Sequence, residues 1–185
     1  MDSSAPELRS ARQQQIVDVA WRLLATEGRE GLTMRRLAEE LGIKAPSLYK
    51  HFPNKQAVEA ALIDRGFLLW GTTAREALDR TGDPLANLAS AYRSVATDQP
   101  DLYRLMTDGA LDRSLLTPGI EAWSGAPLGE HFQDPEAARA FWGFLHGMAK
   151  LEIDGRFPPE AELDRSWDRG VAAFSAIARD CPDLP

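Results

Sequence analysis

The sequence has little of what builds disulfide bonds and metal sites. Its 185 residues include one cysteine, Cys181, and three histidines. A single cysteine cannot form an internal disulfide, which favours a reducing compartment, so we expect a cytoplasmic protein. The histidines and the cysteine do not occur at a zinc-binding spacing such as H-E-x-x-H or C-x-x-C, and we therefore predict no metal site and no cofactor.

Long apolar runs are also absent. No segment approaches the ~20 apolar residues of a membrane-spanning helix, and residues 1–15 are polar and lack the apolar stretch of a secretory signal. We thus expect neither membrane association nor export. With 44% apolar and 26% charged residues, the chain is too apolar to be disordered, and its length is typical of one core-forming domain with, at most, a small appendage.

Negative charge prevails, but it is unevenly distributed. The net charge is -7, yet residues 1–70 contain 10 Lys and Arg against 9 Asp and Glu, whereas residues 71–185 contain 11 against 19. Between residues 29 and 55, six cations face three glutamates. An acidic body with a locally basic head can bind phosphates if those cations converge on one surface.

Apolar residues recur at helical spacing nearly everywhere, and no strand-period segment of useful length is present, so the pattern predicts an all-α fold. The first predicted helix carries Ile16 to Leu24 and is closed by Gly28 and Gly31. Further helices are predicted at 33–41, 46–52, 54–80, from 85 to near 100, around 102–106, at 134–155 and at 160–180. The Gly- and Pro-rich stretch 107–133 is predicted to be loop, with one or two helical turns around 111–116.

The third predicted helix, 46–52, is too short to be stable alone, so Leu48 and Phe52 must anchor it against the helices before it. Four donor side chains and no carboxylate occupy its outward arc: Ser47, Tyr49, Lys50 and His51. Such a surface suits the acceptor-rich, negatively charged groove of DNA. The positive charge of Lys55 lies in the first turn of the next helix, where it opposes the helix macrodipole and destabilises the helix. A bound phosphate would remove this destabilisation. Partly buried packing for Tyr49 and plain solvation for the lysines are the alternatives.

The segment 33–55, TMRRLAEELGIKAPSLYKHFPNK, resembles the helix-turn-helix of the TetR family of bacterial repressors, and the match covers roughly residues 10–65. The resemblance implies that helix 33–41 positions the recognition helix 46–52. It implies phosphate contacts by Thr33, Tyr49, His51 and Lys55, and contacts with base edges and adjacent backbone by Lys44, Ala45, Ser47 and Lys50. Of Arg35 and Arg36, one is expected to face phosphate while the other pairs with Glu39 or Glu40. Lys44 replaces the Ser or Thr that often caps the recognition helix, a loss of ~1 kcal/mol.

The resulting domain prediction is a three-helix DNA-binding head followed by a helical body. Residues 1–10 form a disordered tail, 11–55 the helix-turn-helix domain, 56–80 a linker helix, and 81–181 a helical ligand-binding and dimerisation domain.

The helix 134–155 is apolar almost all round and contains Gly143 and Gly147, which weaken it unless another backbone approaches closely. We therefore expect it to meet its copy, with helix 160–180, in a twofold four-helix interface. The predicted interface residues are Phe141, Gly143, Phe144, Gly147, Leu151, Trp167, Gly170, Val171 and Phe174. The alternative is that both helices fill the core of a monomer.

The body also has more aromatic residues than its helices need for mutual packing. Aromatic and methionine side chains line pockets for apolar small molecules well. The candidate effector residues are Trp70, Tyr92, Tyr103, Met106, Trp123, Phe132, Phe141, Trp142 and His146. Core packing is the alternative for each, and for His146 also an interfacial hydrogen bond. Trp142-x-x-x-His146-Gly147 followed by Leu151-Glu152 resembles the signature of a TetR subgroup named for its Trp, His and Gly.

Together these features predict a homodimeric, ligand-responsive repressor that binds a palindromic double-stranded DNA operator and is released by a small apolar or aromatic effector. One alternative is an all-helical enzyme acting on an apolar molecule, although the sequence shows no G-x-S-x-G, no phosphate loop and no nucleophile beside an evident base. The other is a partner-binding helical protein that has lost DNA binding.

Overall fold

The computed structural model describes residues 4–6, 9–132 and 134–180, and within them all regular structure is helical, which confirms the predicted all-α class. The α-helices are α1 (Ala11–Gly31), α2 (Met34–Glu40), α3 (Ala45–Tyr49), α4 (Lys55–Leu78), α5 (Pro84–Asp98), α6 (Pro100–Thr107), α7 (Ile120–Gly129), α8 (Pro135–Ile153) and α9 (Leu163–Asp180), with a 3-10 turn at Arg113–Leu115. None of the helices in this part of the chain combines the length and apolar character needed to cross a bilayer.

Helix starts lie where the capping residues predict them. The side-chain oxygen of Thr33 accepts the N–H of Arg36 at 3.1 Å, and Asn54 accepts the N–H of Ala57 at 2.8 Å. Asp134 accepts the first free N–H groups of α8, with proline at the start of that helix. These caps satisfy donors that a helix leaves unpaired, which explains why these boundaries follow from local sequence.

The recognition helix is shorter than predicted. It ends at Tyr49 instead of residue 52, and the N–H groups of His51 and Phe52 both donate to the carbonyl of Leu48 in a closing turn. Lys44 occupies the N-cap position and makes no side-chain capping bond, as its replacement of Ser or Thr predicts. Leu48 and Phe52 are both buried, which confirms their role as anchors.

The prediction that 107–133 is mostly loop is wrong over Ile120–Gly129, where the chain forms α7 with Pro127 inside the helix. Gly125 and Pro127 suggested a break, but Ile120, Ser124 and Leu128 recur every four residues and are all buried. Tertiary burial of one face therefore overrides the low helix propensity of the segment.

Contacts divide the chain into two compact units. The first comprises Met1–Leu68 and Gln99–Trp123, and the second comprises Leu69–Asp98 and Ser124–Pro185. The first unit therefore groups α6 and the following segment with the helix-turn-helix, whereas the sequence-based division at residues 55 and 80 assigns them to the body. In this unit α1 packs against α6, a long-range contact that local patterns do not reveal.

The predicted tail 1–10 falls partly outside the described residues. Within it, Arg9 is held by an ion pair to Asp64 of α4, with 2.7 Å between guanidinium and carboxylate. Ser10 caps α1, and its hydroxyl oxygen accepts the N–H of Gln13. The predicted end of the body, residue 181, also lies outside the described residues.

In the second unit α5 packs against both α8 and α9. Arg93 of α5 donates three hydrogen bonds of 2.8–3.1 Å to the carboxylate of Glu152, which also accepts the indole N–H of Trp167 at 2.9 Å. The partly buried carboxylate of Glu152 in α8 therefore links α8 to Arg93 of α5 and to Trp167 of α9. The hydrogen bonds to Glu152 raise the pKa of the Arg93 guanidinium.

Candidate nucleic-acid interface

The short helix α3 presents its polar side chains to solvent because Leu48 is fully buried beneath them. Tyr49 is 49% exposed, and Ser47, Lys50 and the N-cap residue Lys44 are exposed as well. His51 is half-buried, and its carbonyl accepts a hydrogen bond from the side chain of Gln13 at 3.3 Å. Of the four predicted donors, Ser47 and Tyr49 of α3 and Lys50 directly after it are therefore exposed, whereas His51 is only half-exposed.

Thr33 has a defined structural role in addition to the predicted phosphate contact. Its hydroxyl oxygen accepts the Arg36 N–H that starts α2. A hydroxyl that accepts one hydrogen bond keeps its proton for an outside acceptor. Capping and a phosphate contact are therefore compatible at this position.

The two neighbouring arginines of α2 differ in their surroundings. Arg36 binds the carboxylates of Glu27 and Glu40 at 2.8 and 3.0 Å, and the hydrogen bond to Glu27 leads the interactions that raise the pKa of its guanidinium. Arg35 is 89% exposed, with the Glu39 carboxylate at 3.4 Å. Of the two, Arg35 is the cation that remains turned to solvent.

Lys55 points back toward α1. Its ammonium donates to the carbonyl of Arg29 at 2.7 Å and lies 3.6 Å from the carboxylate of Glu59. Glu59 is buried and also accepts two hydrogen bonds from the Arg29 guanidinium, at 3.0 and 3.1 Å. We call Arg29, Lys55 and Glu59 the α1–α4 clamp. Sequence reasoning missed it because Arg29 and Glu59 are 30 positions apart.

The candidate effector residues are divided between the two units. Tyr103, Met106 and Trp123 belong to the first unit, and Trp70, Tyr92, Phe132, Phe141, Trp142 and His146 belong to the second. Trp70 and Tyr92 pack edge to face with ring centres 5.0 Å apart. Phe141 is fully buried and Trp142 is 51% exposed, so these neighbours in sequence face different surroundings.

Six of the nine predicted interface residues contact other side chains inside the second unit, and three of these six, Phe144, Gly170 and Phe174, are only half-buried there, so their role in a dimer interface stays a prediction. The six residues are Phe141, Phe144, Trp167, Gly170, Val171 and Phe174. A Cβ added at Gly170 would lie 2.1 Å from the ring of Phe144 in the same chain. The remaining three, Gly143, Gly147 and Leu151, lie on the outward side of α8, and Leu151 is 42% exposed. A helix apolar almost all round does not reveal which side meets its own chain.

The first unit contains a cavity of about 170 Å³. It is bounded by Arg29 at the end of α1, by one side of α4 from Gln56 to Ile63, by Leu105 and Met106 of α6, and by the segment 108–116. Met106 is the candidate effector residue among its lining side chains.

Comparison with known proteins identifies the chain. The family model of bacterial regulatory proteins, tetR family, matches residues 16–62, and the model of the tetracyclin repressor-like C-terminal domain matches residues 85–174. The uncharacterized HTH-type transcriptional regulator YobS of Bacillus subtilis is 34% identical over 171 residues, which cover 88% of this chain and 90% of YobS. The chain belongs to the TetR family.

Two further comparisons agree with this membership. The uncharacterized HTH-type transcriptional regulator Rv0681 of Mycobacterium tuberculosis is 34% identical over 157 residues, 77% of this TetR-family chain and 71% of Rv0681. The crystal structure of the regulatory protein SCO4313 superposes with a TM-score of 0.72 at 23% identity, over 89% of this chain and 95% of the other, and shows the same fold. The protein is therefore a DNA-binding transcriptional regulator and not an enzyme. TetR-family proteins bind DNA operators, usually as dimers with small-molecule effectors.

Proposed function

We propose that this regulator is a cytoplasmic repressor that binds a palindromic operator as a homodimer and is released by a small-molecule effector. The observation that carries the DNA-binding part is the exposed donor set of α3, held in place by the buried Leu48 and Phe52. Each α3 would enter a major groove, with half-sites about 34–36 Å apart or at a multiple of this distance. Base contacts would come from Lys44, Ala45, Ser47 and Lys50, and phosphate contacts from Thr33, Arg35, Tyr49, His51 and Lys55.

Titration of the purified protein into its own promoter fragment, monitored by fluorescence anisotropy at several salt concentrations, tests this proposal. We expect sequence-specific, salt-sensitive binding whose logarithmic salt slope falls by about one unit for Lys50→Ala. Arg165→Ala, which removes an exposed cation of α9, is the matched control and should leave the slope unchanged. Equal slopes for both variants would contradict the assignment of Lys50. Absence of specific retention would favour a partner-binding protein that has lost DNA binding.

We propose that α8 and α9 of two copies form the dimer interface through the nine residues predicted above, and that its most exposed part on α8 lies between Trp142 and Leu151. Small residues there, Gly143 and Gly147, leave open space that another backbone can enter, since a Cβ at either position would meet no atom within 4 Å among the described residues. Ile177 of α9 is a further exposed apolar side chain, at 47% exposure. Burial of such side chains is the main favourable term in subunit association.

Sedimentation velocity tests the interface. Leu151→Glu introduces a charge into the proposed contact and should shift the dimer toward monomer. Leu115→Glu, at a similarly exposed leucine in the 3-10 turn, is the control and should remain dimeric. A dimer that withstands Leu151→Glu would place the interface elsewhere.

The Trp142, His146 and Gly147 pattern supports, as a finer proposal, the TetR subgroup named for these residues. The rings of Trp142 and His146 lie one helical turn apart with centres 6.2 Å from each other. Their position on the side of α8 that carries Gly143 favours an interfacial role for His146 over an effector contact.

A further inference from the structure

The cavity of the first unit is large enough to hold a molecule with about one aromatic ring. Its volume of about 170 Å³ is close to that of an apolar protein cavity known to hold benzene. The lining is mixed, with polar and apolar surface in comparable amounts, and its larger apolar side chains are Ile63, Leu105, Met106, Leu111, Leu115 and Leu116. A ligand with an apolar body of six to eight heavy atoms, on the order of one aromatic ring, would fill this space.

The charged lining residues favour a cation. Glu59, Asp108 and Asp112 contribute three carboxylates, and Arg29 contributes one positive charge. The lining therefore carries two more negative charges than positive ones. Glu59 accepts two hydrogen bonds from Arg29 and lies 3.6 Å from the ammonium of Lys55. An ionised carboxylate offers about four acceptor sites, so Glu59 retains room for one further donor.

We propose that this cavity is the effector site of the regulator and that its ligand is a small apolar amine in its protonated form. The apolar body would lie against Ile63, Leu105 and Met106, and the ammonium group would face Glu59 and Asp108. The proposal that an amine binds depends on the cavity alone. The proposal that this amine is the effector depends in addition on the repressor function proposed above.

Both ends of α1 are held by groups that form or adjoin the cavity. At the C-terminal end, Arg29 binds Glu59, and both residues line the cavity. Just before the N-terminal end, Arg9 binds Asp64, and Asp64 accepts the N–H and the hydroxyl of Thr117 at 3.0 and 2.8 Å. Thr117 directly follows the segment 108–116 that bounds one side of the cavity.

An ammonium group at Glu59 would share this carboxylate with Arg29 and Lys55 and so weaken both ion pairs, and displacement of segment 108–116 would pull on the Asp64 contact. Each effect loosens one attachment of α1 to α4. Since α1 packs against α2, and α2 against α3, a shift of α1 moves the recognition helix. A ligand shifts such an equilibrium only by its preference for one of the two states.

Methionine-methyl NMR of the full chain tests binding without DNA. Met106 lines the cavity, whereas Met34 lies in α2 and Met148 in α8. Benzylamine should shift the Met106 methyl signal saturably and leave that of Met148 in place. Benzyl alcohol should bind at least about tenfold more weakly, because it lacks the charge-assisted hydrogen bonds. An unmoved Met106 signal at millimolar benzylamine, or a shift confined to Met148, would overturn the site.

Charge and shape of the site can be tested separately. Asp108→Asn should weaken benzylamine binding at least about tenfold and leave benzyl alcohol binding unchanged. Ala110→Trp, on an exposed lining position, should block both ligands. Glu121→Gln removes an equal charge from the same unit outside the cavity lining and is the control. Equal effects of Asp108→Asn and Glu121→Gln would overturn recognition of the ammonium group by the cavity.

Operator titrations separate the effector role from the site. Saturating benzylamine should weaken operator binding at least fivefold in the parent protein and not in Ala110→Trp. Operator binding that benzylamine leaves unchanged, while Met106 still reports binding, would overturn the effector role. Failure to bind the operator without any ligand would contradict the repressor function and leave the NMR result standing.

Discussion

Gly170 of α9 provides a sharp test of how the second unit is packed. A methyl group at this position would place its carbon 2.1 and 2.2 Å from two ring carbons of Phe144. Carbon atoms prefer separations of about 3.5–4.0 Å, so the ring would have to withdraw by about 1.4 Å. Three aromatic neighbours oppose this movement: Phe141, Phe174 and Trp167, with ring centres 6.3, 5.6 and 5.8 Å from that of Phe144.

Two opposing terms set the magnitude for Gly170→Ala. Replacing glycine by alanine within a helix stabilises it by ~1 kcal/mol, while overpacking a core position costs ~1–3 kcal/mol. Because three aromatic rings pack around Phe144, we expect the overpacking term to prevail, with a net loss of up to ~2 kcal/mol in unfolding free energy. Gly125→Ala in α7 is the control, since a Cβ there meets no atom within 4 Å among the described residues, and it should stabilise by ~0.5–1 kcal/mol.

Urea unfolding monitored by tryptophan fluorescence at one fixed protein concentration measures both variants. Phe144→Leu in the Gly170→Ala background should recover part of the loss, and a double-mutant cycle would give a coupling energy between the two positions. If Gly170→Ala proved as stabilising as Gly125→Ala, the Phe144 ring would not occupy the space beside α9, and the packing of α8 on α9 described here would be refuted.

Four further substitutions test individual contacts. Thr33→Ala should lower the unfolding free energy by ~1 kcal/mol through loss of the α2 cap, whereas Thr33→Ser should retain most of it in urea titrations. Asp64→Asn leaves Arg9 without its buried carboxylate, so calorimetry should show a loss of ~2–4 kcal/mol, and an unchanged Tm would contradict the ion pair. Arg93→Met removes three hydrogen bonds from a partly buried carboxylate. Chemical unfolding should show a loss of about 1–2 kcal/mol in unfolding free energy, a value kept small because the ion pair is partly exposed to solvent. Backbone N–H donors, chiefly from residue 136, lower the pKa of Asp134. Its charged form therefore stabilises the fold above the unfolded pKa of ~4, and this contribution is lost as pH falls through the folded pKa. Asp134→Asn should therefore make the unfolding free energy less dependent on pH in this acid range.

The DNA-binding head was largely predictable because its signals are local. Thr33, Asn54 and Asp134 start helices by bonds to residues two or three positions away, and such contacts are visible in sequence. The spacing of Leu48 and Phe52 also sufficed to identify which side of α3 is buried.

Long-range contacts limited the rest. The α1–α4 clamp joins residues 30 positions apart, and the cavity depends on α6 packing near α1 and α4. For α8, apolar residues on nearly every side concealed which side packs against α9. The sequence also does not show which glycines are needed for close packing. Gly170 leaves room for the Phe144 ring of the same chain, whereas a Cβ at Gly143 would meet open space.

The Arg9–Asp64 ion pair bears on how the protein can be shortened. Judged by secondary structure, a truncation that begins at Ala11 would look harmless, because the first helix starts there. Such a truncation would delete Arg9, whose guanidinium neutralises the buried carboxylate of Asp64 in α4. It would also remove Ser10, whose hydroxyl caps the start of the helix. Expression variants of this regulator should therefore keep their N-terminal boundary upstream of residue 9, and any affinity tag is better joined beyond that point than against the helix itself.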